Sequence, residues 1–159
     1  MGVSGCGKSD VGQRLATALK VPFIEGDLWH SAANVAKMAA GIPLTDADRA
    51  DWLATLREKI AAARIADEAV VLSCSALKRQ YRDLLREGDP DLFFVELDGP
   101  RGLIEQRMGA RTGHFMPTSL LDSQFRDLQP LQADEHGLRV PITGTLDEVT
   151  GAILQTIGR

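Results

Sequence analysis

The sequence predicts an α/β fold built on a parallel sheet, and three observations predict it. Short runs rich in β-branched and aromatic residues alternate with helical patterns along the chain. Each run is separated from the next by at least one helix, so a strand reaches its neighbour only through a crossover, which implies parallel pairing. A glycine-rich stretch, Gly2 to Ser9, opens the chain and leads directly into an amphipathic helix.

That opening stretch, Gly2-Val3-Ser4-Gly5-Cys6-Gly7-Lys8-Ser9, satisfies G-x-x-x-x-G-K-[ST] in full. Glycines let successive backbone N–H groups turn inward as an anion-binding nest, and the helix N-terminus adds partial positive charge. Lys8 would reach the β- and γ-phosphates of a nucleotide, and the Ser9 hydroxyl would bind Mg²⁺. A plain glycine turn before a helix does not explain a Lys-Ser pair at that place. The expectation is a P-loop NTPase fold using ATP and Mg²⁺, with residues 2–9 as the nucleotide site.

The elements follow in order. Val11, Leu15 and Leu19 recur every four residues on one face of the first helix. Strands are expected at Pro22 to Glu25, Ala69 to Ser73, Leu92 to Leu97 and Leu138 to Thr143. Trp52, Leu56, Ile60 and Ala63 stripe a long helix, with Thr45 or Asp46 as N-cap. Ser75 is placed to cap a helix carrying Leu77, Tyr81, Leu84 and Leu85, closed by Gly88. Pro100 suits the first turn of a helix bearing Leu103, Ile104 and Met108. Thr145 precedes a last helix that buries Val149, Ile153 and Ile157. Pro141 cannot donate to a ladder, so the final strand is an edge strand or breaks there.

Composition bounds the rest. With 159 residues, 44% hydrophobic and 25% charged, the chain fits one globular domain, 1–159, without repeat or linker. Its longest apolar stretches fall far short of the roughly 20 residues that cross a bilayer. The start lacks the basic-then-apolar pattern of a secretory signal, and Cys6 and Cys74 are too few for a disulfide framework or zinc site. A reducing, cytoplasmic setting is expected. A net charge of -4 argues against a nucleic-acid partner, although Lys78, Arg79 and Arg82 cluster, as do Arg107, Arg111 and His114.

Two further segments carry candidate chemistry. Glu25-Gly26-Asp27 ends the first strand, and ligands of open parallel sheets sit beyond the carboxyl ends of strands. Asp27 there could accept a proton from an attacking hydroxyl; the alternative is a solvated Gly-Asp turn. Arg107 and Arg111, four apart, share a helix face and could reach one anion from a lid closing over ATP. The alternative for them is a solvated face.

Several blocks then carry a resemblance. Gly26-Asp27-Leu28-Trp29-His30, Asn34-Val35-Ala36-Lys37-Met38, Gly41-Ile42-Pro43-Leu44, Asp48-Arg49, Trp52-Leu53, Cys74-Ser75-Ala76-Leu77-Lys78, Tyr81-Arg82 and Arg111-Thr112-Gly113-His114-Phe115-Met116 occur in order through almost the whole chain. With the phosphate loop, this set resembles the gluconokinase family. The resemblance implies transfer of the ATP γ-phosphoryl group to the 6-hydroxyl of D-gluconate. It implies a three-layer α/β/α fold of the shikimate- and adenylate-kinase type, with a five-stranded parallel sheet, a substrate-binding helical region at about 28–66 and a mobile lid at about 107–128. By that analogy Asp27 faces the substrate as base. His30, Arg49, Lys78, Arg82 and His114 become candidates for holding gluconate, whose carboxylate calls for cations. Arg107 would lie near the adenine or the α/β-phosphates and Arg111 on the transferring phosphoryl. A homodimer is also suggested by the fold relatives.

The resemblance also sets departures. Relatives carry a hydrophobic strand ahead of the glycine loop, whereas here only Met1 precedes Gly2. Two neighbouring strands are therefore expected to lack the partner between them, and about eight apolar residues ahead of Met1 are expected to raise stability and activity. Asp10 stands where a hydroxyl residue is common; its charge would weaken ATP binding, offset by the helix dipole. Rival readings are a shikimate-kinase-like enzyme, disfavoured by Ser73-Cys74-Ser75-Ala76-Leu77-Lys78 where that family has a glycine run, a nucleoside-monophosphate kinase, and a non-catalytic nucleotide-binding module.

Overall fold

The computed structural model describes residues 1–110 and 118–158. Its elements alternate as expected: α1 (Lys8–Leu19), β1 (Phe23–Glu25), a 3-10 turn (Gly26–Trp29), α2 (Ala32–Ala39), α3 (Asp46–Ile65), β2 (Val71–Ser73), α4 (Arg79–Arg86), β3 (Phe94–Asp98), α5 (Arg101–Gly109), a second 3-10 turn (Thr118–Leu120), α6 (Leu121–Asp127), β4 (Gly137–Pro141) and α7 (Leu146–Ile157).

Helix starts follow local chemistry. Thr45 and Thr145 each form a capping box, with Asp48 and Glu148 respectively, and Ser31 caps α2 through the Asn34 N–H. One expected cap fails. Ser75 does not open a helix, because α4 begins at Arg79 after Lys78. The residues between are diverted: Ala76 takes a left-handed φ of 42°, and the carbonyls of Ala76 and Leu77 accept from the Arg82 guanidinium at 3.1 and 3.3 Å. Ile157, read as buried, and Leu19, read as sharing a face with Val11 and Leu15, are about two-fifths exposed, because each lies at the last turn of its helix, beyond the packed part.

The strands are parallel throughout, but they form two pairs. β1 pairs β2, with Glu25 opposite Ser73, and β3 pairs β4, with Asp98 opposite Pro141. Pro141 ends the outer strand of its pair, as its missing N–H requires. β2 and β3 do not pair with each other. Between them lies the main chain of Met1 and Gly2: the Met1 amino group donates to Val95 O, Leu97 N–H donates to Met1 O at 2.9 Å, and Gly2 N–H donates to Ser75 O at 3.1 Å. Behind that bridge is a cavity of about 350 Å³ lined by Val11 and Leu15, Val71 and Leu72, and Phe94 and Val95. β2 and β3 are thus joined through this main chain and not by a ladder of their own.

Helices cover both faces. Phe94 packs with Trp52, Leu56 and Ile60 of α3 and Leu85 of α4, while Leu97 packs with Val11 and Leu15 of α1, Ile104 of α5, Val140 of β4 and Ile153 of α7. The result is the three-layer α/β/α arrangement, with the phosphate loop at one end of the sheet. No helix among the described residues is long and apolar enough to cross a membrane.

Candidate active site

The phosphate loop is built by glycines where only glycine fits. Gly7 carries φ 93° and is the N-cap of α1, while a Cβ on Gly5, at φ 81°, would lie 2.6 Å from the Met108 side chain. No side chain caps α1. Its first N–H groups therefore point along the helix axis with the positive end of the dipole and await an acceptor from outside. Val3 and Cys6 are buried beneath the loop, and the Lys8 ammonium lies back over it, donating to Val3 O at 3.0 Å. The half-buried Ser9 follows in the first turn. A helix start of this form suits an anion, and it has one cation fixed above it.

Beside the loop, a cavity of about 300 Å³ is lined by Gly5, Gly7, Asp10, Arg107, Ile142 and Val149 among others. Arg107 donates to Ile142 O at 2.9 Å, which stretches its side chain along the cavity wall.

The second region grows from the end of β1. Gly26 is buried and pinned from two sides: its N–H donates to Ser73 Oγ at 3.4 Å, and its carbonyl accepts from Trp52 Nε1 at 2.8 Å. That fixes Asp27, the next residue, at the mouth of the 3-10 turn. His30 stacks on Trp52 with ring centroids 4.1 Å apart, and its buried Nδ1 has no hydrogen-bond partner among the described residues. Burial pushes the His30 pKa below its ordinary value; Asp27 opposes that shift electrostatically and Arg49 adds to it. Asp27, His30 and Arg49 thus share one neighbourhood. Asp27 and Lys8 likewise both act on the buried Cys74 thiol, whose pKa desolvation pushes up to about 12.

Tyr81 organises the remaining cations. Its ring lies 5.5 Å from the Arg49 guanidinium carbon and 5.7 Å from Lys78 Nζ. Arg49 donates to the Tyr81 hydroxyl at 3.0 Å and pairs with Asp127 at 3.5 Å, and Lys78 pairs with Asp46 at 2.8 Å. The Lys78 hydrogen bond first, and that of Tyr81 second, hold the Asp46 carboxyl at about 2.

Arg82 corrects the expectation that it holds substrate. It is fully buried, makes a two-pronged pair with Glu135 at 2.6 and 2.7 Å, and donates also to Ala76, Leu77 and Gln129 carbonyls. Its donors are consumed by the scaffold that positions the β2–α4 connection. Arg111 and His114 lie outside the described residues. Among those described, no cluster of three or more His, Cys, Asp or Glu side chains could hold a metal by itself. A Mg²⁺ ion fits Ser9 only as a shared ligand, with nucleotide phosphates and water supplying the other oxygens.

A family model for shikimate kinase matches residues 4–113. The chain is also 44% identical over 158 residues to the thermosensitive gluconokinase of Escherichia coli K12, covering 99% of this chain and 84% of that one. The chain belongs to the gluconokinase family. Among solved structures, a gluconokinase from Sinorhizobium meliloti superposes with a TM-score of 0.88 at 45% identity, covering 100% of this chain and 89% of that one. An unliganded sugar kinase from Janibacter sp. HTCC2649 gives 0.95 at 44% identity, over 99% and 91%. These neighbours share the P-loop kinase fold.

Three contributors were not visible in the sequence. Trp52, read as a core residue, also pins Gly26 and stacks on His30. Asp127 reaches Arg49 across 78 positions. Gln124 contacts the phosphate loop at Ser4. The Trp52-Leu53 block gave a hint for the first; the other two come from a short helix with no motif.

Proposed function

We propose that this protein is an ATP-dependent gluconokinase that makes 6-phospho-D-gluconate and ADP. The observation that carries the reading is the uncapped start of α1, with Lys8 over it, set at the same end of β2 as Asp27: Gly2 N–H donates to Ser75 O, and Gly26 N–H, next to Asp27, donates to Ser73 Oγ. The loop amides and Lys8 would hold the β- and γ-phosphates, and the cavity beside Arg107 would take the base. Ser9 would hold Mg²⁺ together with the nucleotide, and the ion would supply positive charge against that of the phosphates.

Asp27 would take the proton of the gluconate 6-hydroxyl as that oxygen bonds to the γ-phosphorus and the bond to the β,γ-bridging oxygen breaks, leaving ADP. His30, with its unpartnered Nδ1, would accept from a gluconate hydroxyl. Arg49 and Lys78, each already balanced by a carboxylate, would turn to the gluconate carboxylate. Of the lid expected at about 107–128, the part ahead of α6 would close over the nucleotide, since Leu121 holds α6 in the core, and Arg107 and Arg111 would serve the phosphates and His114 the acceptor. Closure would exclude water, which otherwise competes for the phosphoryl group.

The test is ADP release with Mg²⁺ in the presence of gluconate, of shikimate, or of neither, with Lys8→Ala and Asp27→Asn as controls. Release that depends on gluconate and is lost in both variants supports the reading. Release with shikimate alone points to another acceptor, and ATP binding without release points to a nucleotide-binding module.

A further inference from the structure

Ser4 sits in the turn of the phosphate loop, buried, and two of its polar atoms meet one residue from the far side of the chain. Gln124 Oε1 accepts from Ser4 N–H at 2.6 Å, and Gln124 Nε2 donates to Ser4 Oγ at 3.3 Å. Both residues are less than a tenth exposed, at 7% and 8%, so water does not compete for these bonds. A side-chain amide offering acceptor and donor together fixes position and orientation at once, as a single contact would not.

The helix that carries Gln124 also bears on the other half of the site. Three residues later, on the same helical face, Asp127 pairs with Arg49 at 3.5 Å. One turn earlier Leu121, 1% exposed, anchors α6 in the core. The helix is therefore held by apolar packing at its start, by the phosphate loop in its middle and by a cation of the acceptor region at its end. Nothing in the fold alone requires the middle contact, since Leu121 already docks the helix.

We propose that Gln124 is a positioning residue for phosphoryl transfer. Through Ser4 it sets the curvature of the loop, and so the direction of the amides from Gly5 onward that would face the triphosphate. Through α6 it ties that curvature to the region of Arg49. This rests on the reading of the loop as the ATP site. A displacement of about 1 Å in a positioning group can lower a rate on the order of 100-fold, so the effect of releasing Ser4 is large while the fold remains.

The test uses Gln124→Met, which keeps length and removes both hydrogen bonds, together with Ser4→Ala and the double variant, assayed well below their melting temperatures. In Gln124→Met, kcat/KM for ATP should fall about 10- to 100-fold while the KM for gluconate changes less than about two-fold, and calorimetry should show weaker Mg-ATP binding. Ser4→Ala should lose a few-fold. Adding Ser4→Ala to Gln124→Met should cost nothing further, because Gln124 acts through Ser4. A lowered melting temperature with unchanged ATP parameters would mean a packing role only and overturn the proposal. Should Gln124→Met fail to fold, Ser4→Ala decides alone, and wild-type kcat/KM for ATP there overturns it. Wild-type protein that binds no Mg-ATP would sink the functional reading and this proposal together. Binding by wild type with no change in Gln124→Met sinks this proposal alone.

Discussion

Two twelve-residue helices, α1 and α7, pack against each other and begin in opposite ways. At α7 the Thr145 hydroxyl accepts the Glu148 N–H at 3.2 Å, and Glu148 Oε2 accepts the Thr145 N–H at 2.7 Å, so the helix end is satisfied by its own residues. At α1 the N-cap is Gly7 in a left-handed conformation, with no side chain to accept anything. Among the described residues, a Cβ at Gly7 would touch nothing within 4 Å. The same orphan donors exist at both ends. Where they are capped internally they contribute to stability, and where they are left open beside Lys8 the proposed function uses them for binding.

The most damaging way to break that contrast is Lys8→Ala. It should lower kcat/KM for ATP by about 10³-fold, roughly 4 kcal/mol of transition-state stabilisation, with the melting temperature little changed. Steady-state kinetics beside a thermal melt would check it, and a large drop in melting temperature would mean that Lys8 is structural.

Arg82→Ala should invert the pattern. Removing Arg82 takes the two-pronged partner from the buried Glu135, leaving it Arg86 at 3.2 Å and Arg79 at 3.8 Å, and should cost about 3 kcal/mol of stability, read by denaturant titration. The same pair sets an acid limit. Burial raises the Glu135 carboxyl but the Arg82 hydrogen bonds outweigh it, holding it at about 2 against an ordinary 4.5. A depressed folded-state pKa means the contribution is complete above 4.5 and is lost as pH falls toward 2. Glu135→Gln should flatten that acid dependence.

The slot between β2 and β3 sharpens the comparison from the scaffold side. An apolar extended segment of about eight residues joined ahead of Met1 should pair with both strands and fill the cavity of about 350 Å³. Each kcal/mol so gained raises the melting temperature by roughly 2–4 °C. Turnover should rise with it, since Gly2 hangs from the same bridge. Equal melts and rates in the two forms would remove the idea.

The smallest effect is expected at Thr145→Ala, which should cost about 1 kcal/mol and leave ATP parameters unchanged. A loss of ATP affinity would show that the two helix ends are not independent.

Much of this was legible in sequence. The phosphate loop, the alternation of strands and helices, the Thr45 and Thr145 caps and the edge position of Pro141 are set by residues within a few positions of one another. What was not legible depends on distant partners. Arg82 looks like a free cation beside Lys78 until Glu135, 53 residues on, is folded against it. Ser75 looks like a cap until Arg82 takes the carbonyls that follow it. Gln124 has no pattern of its own and is recognised only once α6 lies across Ser4.

The most direct measurement follows backbone amide resonances of ¹⁵N-labelled protein as Mg-ATP is added. Large, saturable shifts are expected at Gly5 to Ser9, absent in Lys8→Ala, with the amides of Leu146 to Glu148 at the start of α7 unmoved. Saturating Mg-ATP that leaves the loop amides unshifted, or shifts both helix starts alike, would contradict this.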